Sequence, residues 1–469
     1  MKIIVLNGSP KGDLSVTMQY ILYIQKKFPE HEFKILNVAQ QIKILEKNQE
    51  KFQEIIEEIK TSDGIIWGTP VYYLLVPSQY KRFIELISEL NVEFVFQNKY
   101  TTVLTTSIHF YDHTSHNYLH AICDDFKMKY VGYFSADAFD LTKHEKREKL
   151  ILFAENFFYA IENNILTSKH FPPLNYRDFN YTPSDVQNEE NKINPKDKKI
   201  LVVTDSMDEN TNLGKMIKRF CMSFSGNIDV INIYDIDIKG GCLGCILCGY
   251  DNQCAYKGKD EFIDFWNEKI KVSDILIFAG NIKDRYLSSR WKMVFDRSFF
   301  NNHVPILIEK QIGFIISGPL GQIPNLKQIL VAYVEIQDSN VVDFITDEYG
   351  DSAEIDALIH SFANQLIRFS NSNYSKPQTF RSRGGILLFR DEIFGRLRFV
   401  FRADDKYYEE QGLYDTFPQN DKAAKKMNDM LIPLIENNDD FRKKFYANIN
   451  KEMIKPLKYI VSKADKESG

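Results

Sequence analysis

Hydrophobic and polar positions fall into two successive series of short apolar runs separated by amphipathic stretches. In the first series, residues 2–6, 32–36, 65–67, 100–105 and 130–135 are apolar runs of strand length. Helical spacing covers 17–27, where Met18, Ile21, Leu22 and Ile24 share a face, and then 48–60, 78–90 and 143–163. Strands that alternate with helices predict a parallel sheet covered on both faces. The alternation restarts with strands over 199–204, 229–234, 274–279, 311–317 and 341–346. Helical patterns lie over 213–222, 260–271, 288–300, 323–333 and 352–369. The shared order predicts a duplication: two doubly wound α/β domains, each with strand order 2-1-3-4-5. Its period is far too long for a solenoid repeat.

Between the series, Pro172, Pro173, Pro183 and Pro195 interrupt a polar stretch that reads as a linker. After about residue 376 the pattern lapses. Arg381, Arg383, Arg390, Arg396, Arg398 and Arg402 flank an apolar run at 385–389. This predicts a docked, mostly helical extension with a solvated basic face. A sharper reading has some of these arginines holding a nucleotide phosphate. The expected boundaries are 1–168, 169–197, 198–375 and 376–469.

Composition narrows the function classes. The chain has 469 residues and a net charge of -5, which gives no general attraction to nucleic acid or an anionic membrane. No apolar run is long enough to span a bilayer. The N-terminus reads as a strand without a cleavage region, so the expected location is the cytoplasm, where disulfides are rare. Cys123 and Cys221 stand alone and read as small buried hydrophobes. The other four cysteines lie within thirteen residues, which argues for metal or redox chemistry.

Two loops carry candidate chemistry in the first half. Asn7-Gly8-Ser9-Pro10-Lys11-Gly12 through Thr17 joins the first strand to the first helix, at the sheet edge where open α/β folds bind ligands. Hydroxyls of Ser9, Ser15 and Thr17, with the helix N-terminus, suit an anion. An ordinary capped turn is the alternative. Gly68-Thr69-Pro70-Val71-Tyr72-Tyr73 follows the third strand at the same edge. Its proline-fixed turn and two aromatics can wall a planar ring, or the tyrosines pack under the next helix.

At these residues the chain resembles the NADPH-dependent FMN reductase and iron–sulfur flavoprotein group of the flavodoxin-like superfamily. Gly8-Ser9-Pro10-Lys11 with Ser15 and Thr17 is similar to its phosphate loop. Gly68-Thr69-Pro70-Val71-Tyr72 followed by Lys81-Arg82-Phe83-Ile84 is similar to its flavin segment. The resemblance implies FMN, with Ser9, Lys11, Ser15, Val16 and Thr17 near the phosphate. It puts Pro70, Val71, Tyr72 and Tyr73 near the isoalloxazine ring, and Thr106 and Ser107 in the third loop. In the second half, Ser206, Thr211 and Asn212 are candidates for a second phosphate cradle. Asp205, Asp208 and Glu209 would repel the anion unless they point away. The proline-tyrosine segment is replaced by 280–286, while Trp291 to Arg297 keeps the K-x-x-x-D-R shape.

Cys242, Cys245, Cys248 and Cys254 form a C-x2-C-x2-C-x5-C run. Four thiolates suit a 4Fe–4S cluster or tetrahedral zinc. The run resembles the compact cysteine motif of iron–sulfur flavoproteins, which implies the cluster. The combined reading is an enzyme that passes electrons between NAD(P)H, or a reduced carrier, and an acceptor through FMN and a 4Fe–4S cluster. NAD(P)H would bind transiently, because no Gly-rich dinucleotide fingerprint is present, and no acid–base residue is required. Expected partners are a small redox substrate or an electron-carrier protein, with homo-oligomers left open. A non-enzymatic flavin-binding shuttle or sensor with structural zinc is the rival. A quinone or nitro-compound reductase whose cluster plays no part is a third reading.

Overall fold

A computed structural model describes residues 1–184, 192–416, 418 and 421–448. The expected linker and helical extension fall partly outside these, at 185–191 and beyond 448. Residues Met1–Asp405 form one compact unit and Lys406–Gly469 another. The second unit contributes helix Lys422–Asn437, which carries Pro433 in its interior.

The first sheet contains β1 (Lys2–Asn7), β2 (Glu32–Leu36), β3 (Gly64–Pro70), β4 (Tyr100–Ser107) and β5 (Lys129–Asp137). All are parallel, in the order β2-β1-β3-β4-β5. The second contains β6 (Ile200–Thr204), β7 (Asp229–Asn232), β8 (Ile275–Asn281), β9 (Gln311–Ser317) and β10 (Asn340–Thr346). Its order, β10-β9-β8-β6-β7, is the same winding, so the predicted doubly wound α/β architecture occurs twice. Helices cover both faces, which is why β3 is buried at every residue and reads as continuous apolar sequence.

Two elements depart from the sequence reading. Helix Asp112–Asp125 was not expected between β4 and β5. Its sequence, DHTSHNYLHAICDD, shows no clean apolar stripe because it is buried on several sides, Thr114, Ser115 and His116 included. The helical stretch expected over 260–271 splits into Phe262–Phe265 and a π-turn at Trp266–Ile270. The apolar run at 385–389 lies inside helix Phe380–Glu392.

The two sheets meet through helices Ser78–Glu89 and Ser289–Ser298, which pack as a pseudo-symmetric pair. Each helix supplies a carboxylate to the other's N-terminus. Glu85 accepts from the Ser289 amide at 2.6 Å, and Asp296 from the Ser78 amide at 2.7 Å. Each carboxylate also meets a lysine one turn earlier. Lys81 donates to Glu85 at 2.8 Å and to Asp284 of the other half at 2.9 Å. Lys292 pairs with Asp296 and donates to the Tyr72 carbonyl at 2.8 Å. Charges this deeply buried are tolerable only when paired on all sides. A single apolar cluster, with Trp67 and Phe83 from one half and Trp291 and Tyr333 from the other, runs through the junction.

Candidate functional site

The loop after β1 leads into helix Val16–Lys27. Its N-cap residue, Ser15, makes no side-chain capping bond, and its Oγ is buried without a protein partner. The first amides of that helix thus lack the acceptor that a cap normally supplies. A buried hydroxyl and uncapped amides at a positive dipole end match an anion. Lys11 lies on the same loop, and burial lowers its pKa despite the nearby Cys242 thiol. Ser9 and Thr17 serve behind this surface. Ser9 Oγ accepts from the Lys11 amide at 3.3 Å, and Thr17 Oγ1 shares a hydrogen bond with Thr106 Oγ1 at 2.7 Å.

After β3, Tyr72 and Leu75 close a tight turn through bonds of 2.7 and 3.1 Å between their backbones. Tyr73 and Leu74 at its tip have φ of 40° and 68°. Glycine or asparagine ordinarily takes such positions, so the turn holds its aromatic rings at a backbone cost. Lys292 anchors it from the other half at the Tyr72 carbonyl. Together these loops wall a cavity of about 350 Å³, lined by Lys11, Ser15, Val16, Pro70 to Leu74, Thr106 and Ser107. The predicted first-half residues therefore share one cavity, with Ser9 and Thr17 just behind it.

The far wall was not foreseen. Phe299, Asn302 and His303 come from the turn after helix Ser289–Ser298. Phe389, Glu392, Ile393, Leu397 and Phe401 come from the segment after residue 376. The apolar run at 385–389 was the only local hint of this wall. Three of the arginines that follow it are engaged by protein carboxylates. Arg396 pairs with Asp137 at 3.0 Å and with Glu392 at 2.5 Å. Arg398 and Arg402 pair with Asp405 at 3.0 and 2.6 Å. These three guanidinium groups are thus occupied within the protein.

The second half does not repeat the anion cradle. Thr211 caps its own helix, accepting from the Gly214 amide at 3.1 Å, and donates to the Asp208 carbonyl at 2.7 Å. Asn212 donates to the Phe179 carbonyl and to Asp347, both at 2.8 Å. Ser317 and the Gly318 amide also bond Asp347, so a carboxylate of the chain already takes the donors gathered at this edge. Ser206 Oγ accepts from the Asp208 amide at 3.4 Å. The expected second cradle of Ser206, Thr211 and Asn212 is thus corrected: the polar groups of Thr211 and Asn212 are spent on the protein itself, and Ser206 is left with a hydroxyl that accepts from its own loop. Asp205 does point away, toward Ser288 Oγ at 2.6 Å.

The cysteine loop lies against the first cavity. Cys242, Cys245, Cys248 and Cys254 all line one small cavity of about 40 Å³. Burial pushes the Cys242 and Cys248 thiols up to about 12. Arg297, fully buried and paired with Asp260 at 2.7 Å, lines the same cavity. Among the described residues, no three His, Cys, Asp or Glu side chains are placed to hold a single metal ion. A cavity of about 200 Å³, lined by Lys11, Tyr72, Tyr73, Cys242, Gly244 and Phe299 among others, lies between. It shares Lys11, Tyr72 and Phe299 with the larger cavity and Cys242 and Gly244 with the cysteine one. The Tyr72 hydroxyl is buried without a partner and sits against Gly244.

Residues 1–139 match the family model described as NADPH-dependent FMN reductase. Comparison with curated proteins gives no match. Similar solved structures include an NADH:FMN oxidoreductase in its apo form, at 16% identity, 33% of this chain, 87% of that one and a TM-score of 0.29. An NADPH-quinone reductase from P. pentosaceus matches at 14% identity, 34% of this chain, 96% of that one and a TM-score of 0.27. An FMN-dependent NADH-azoreductase from Bacillus anthracis, in complex with FMN, matches at 15% identity, 35% of this chain, 96% of that one and a TM-score of 0.26.

Proposed function

We propose, from a first domain that belongs to the NADPH-dependent FMN reductase family over residues 1–139, that the chain is an FMN-dependent NAD(P)H oxidoreductase whose electrons leave by way of the cysteine loop. The observation that carries the flavin part is the asymmetry between the halves. Helix Val16–Lys27 starts uncapped beside an orphaned, buried Ser15 hydroxyl, whereas helix Asn212–Met222 is capped by Thr211. The first half thus keeps its helix-start donors free for a phosphate, whereas Thr211 and Asn212 spend theirs on the protein.

In this reading Lys11, Ser15 and the amides at Val16 and Thr17 hold the phosphate. Pro70 to Tyr73 flank the ring, and Thr106 and Ser107 close its third side. When bound, FMN would supply two-electron uptake from a nicotinamide and one-electron release. The chain's own task is to bind and orient that ring and to exclude water with the wall drawn from Phe299, Phe389 and Phe401.

The cysteine loop extends the reading. Cys242, Cys245, Cys248 and Cys254 are the residues that would hold a 4Fe–4S cluster, a donor set of four thiols suited to it. Two features support this: all four line one cavity, and that cavity is linked to the flavin cavity through a space walled by Tyr72 and Gly244. Arg297 would offset part of the thiolate charge. The final acceptor is then a small redox molecule or an electron-carrier protein.

Anaerobically purified protein tests both parts. FMN titration should give a bound, quenched flavin that NADH or NADPH bleaches. Iron and sulfide near four each per chain, with a broad absorbance lost in Cys248→Ser, would support the cluster. Zinc without iron would leave the flavin reading standing and remove the electron exit. No flavin binding at all would end the oxidoreductase reading.

A further inference from the structure

We propose that His303, oriented by Asp404, is the proton donor to the acceptor reduced in the flavin cavity. The inference rests on FMN occupying that cavity and concerns two-electron acceptors reduced there directly, a route separate from the one-electron exit through the cysteine loop. It uses residues outside the 1–139 stretch matched by the family model. His303 lines the same cavity as Pro70 to Tyr73. Its Nδ1 lies 2.6 Å from Asp404 Oδ2, and its backbone amide donates to Asp404 Oδ1 at 3.1 Å. Asp404 is fully buried, so its carboxylate is spent on this one residue from two directions.

An ionised carboxylate can only accept, so Nδ1 carries a hydrogen and the exchangeable position is Nε2. The ring is fixed further by aromatic neighbours. Phe389 stacks on it at 3.9 Å, and Phe299 and Phe401 meet it edge-on at 5.3 and 5.2 Å. The other titratable groups of that cavity are less suited. Glu392 is paired with Arg396, the Tyr73 hydroxyl takes a hydrogen bond from Gln337, and the Tyr72 hydroxyl sits against Gly244. Lys11 lies at the phosphate end. A buried carboxylate that holds an imidazole by one nitrogen and leaves the other toward a reacting group is a proton-transfer arrangement.

The step balances for a quinone. Bound reduced flavin would supply a hydride, which forms O–H at one quinone oxygen while both carbonyl π bonds reorganise into the aromatic ring. The other carbonyl oxygen takes the Nε2 proton of the His303 imidazolium, forming the second O–H as N–H breaks. The ring is left neutral, with its Nδ1–H on Asp404, and regains a proton from water. The products are hydroquinone and oxidised flavin. An outer-sphere acceptor such as ferricyanide needs no proton and makes no use of the dyad.

His303→Gln and Asp404→Asn in the full-length, FMN-loaded protein test this, with NADPH as donor and 2-methyl-1,4-naphthoquinone or ferricyanide as acceptor. The ratio of quinone to ferricyanide turnover should fall about 100-fold in His303→Gln, within the range for a positioned acid. It should fall in the same direction in Asp404→Asn. A readout without turnover accompanies it. Affinity of the oxidised enzyme for the quinone, read from flavin fluorescence, should weaken about five-fold, one hydrogen bond's worth. An unchanged turnover ratio in His303→Gln overturns the proposal. So does a loss of FMN affinity that lowers both acceptors equally, which would mark His303 as structural. Wild-type protein that binds no FMN would defeat the flavin reading itself, and the proposal with it.

Discussion

Single residues decide one feature of the site and one of the fold's stability. Gly244 has a φ of +62°, where an L-residue is strained by about 1 kcal/mol. A Cβ there would also land on the Tyr72 hydroxyl. Gly244→Ala should therefore push Tyr72 toward the flavin cavity and weaken FMN binding about ten-fold, as read by fluorescence titration. Because the hydroxyl has no hydrogen-bond partner, Tyr72→Phe in the same chain should recover part of the loss, the ring carbon Cζ still lying 2.8 Å from the added Cβ. Failure to recover would show that the clash is not with that oxygen. His116 gives a pH signature. Its Nε2 meets Thr105 Oγ1 at 2.7 Å, and burial lowers its pKa from 6.5 to about 4. Between those values the unfolded chain takes a proton that the folded chain refuses. The stability His116 supports is thus complete above about pH 6.5 and lost as pH falls toward 4. Urea unfolding should show about 2 kcal/mol less stability at pH 5 than at pH 7.5 from this group. His116→Gln should flatten that part of the profile.

At the scale of elements, the junction between the halves is built on buried ion pairs, which makes it specific and brittle. Lys81→Met leaves Asp284 without its cation and Glu85 with only Arg82 at 3.1 Å and the Ser289 groups. Removing one partner of a buried set costs about 3–5 kcal/mol. Adding Asp284→Asn should return part of that loss. Chemical denaturation of the two variants against wild type checks both, and an unchanged midpoint for Lys81→Met would mean that the pair contributes nothing. The elements also show where sequence reading works. Strands were legible because the buried sheet demands continuous apolar runs, as at Ile65 to Trp67. The Lys11 and Tyr72 loops were legible because their chemistry is local to a strand end. Helix Asp112–Asp125 was hidden because a helix contacted on several sides needs no polar stripe. Thr211 and Ser15 look alike in sequence. Only the fold reveals that one hydroxyl caps its helix and the other is left orphaned.

The whole molecule turns a loop motif into a closed site. The first domain supplies the loops after β1 and β3, but the cavity they wall is completed by Phe299, Asn302 and His303 of the second half and by residues 389–401. Sequence order gave no cue to this, since docking brings these residues to Pro70 across some 230 to 330 positions. The second half, its own anion edge filled by Asp347, acts as roof and as carrier of the cysteine loop. If the roof excludes water from a bound flavin, opening it should alter the flavin without touching the phosphate loop. Phe389→Ala with Phe401→Ala removes two large faces while leaving Lys11, Ser15 and Tyr72 in place. Burial of each aromatic face contributes about 2 kcal/mol, so FMN should dissociate at least ten-fold faster in stopped-flow displacement. Reduced flavin should also reoxidise faster in air-saturated buffer. Dissociation and reoxidation rates both equal to wild type would show that the cavity is closed by the first domain alone, and that the second half serves only its cysteines.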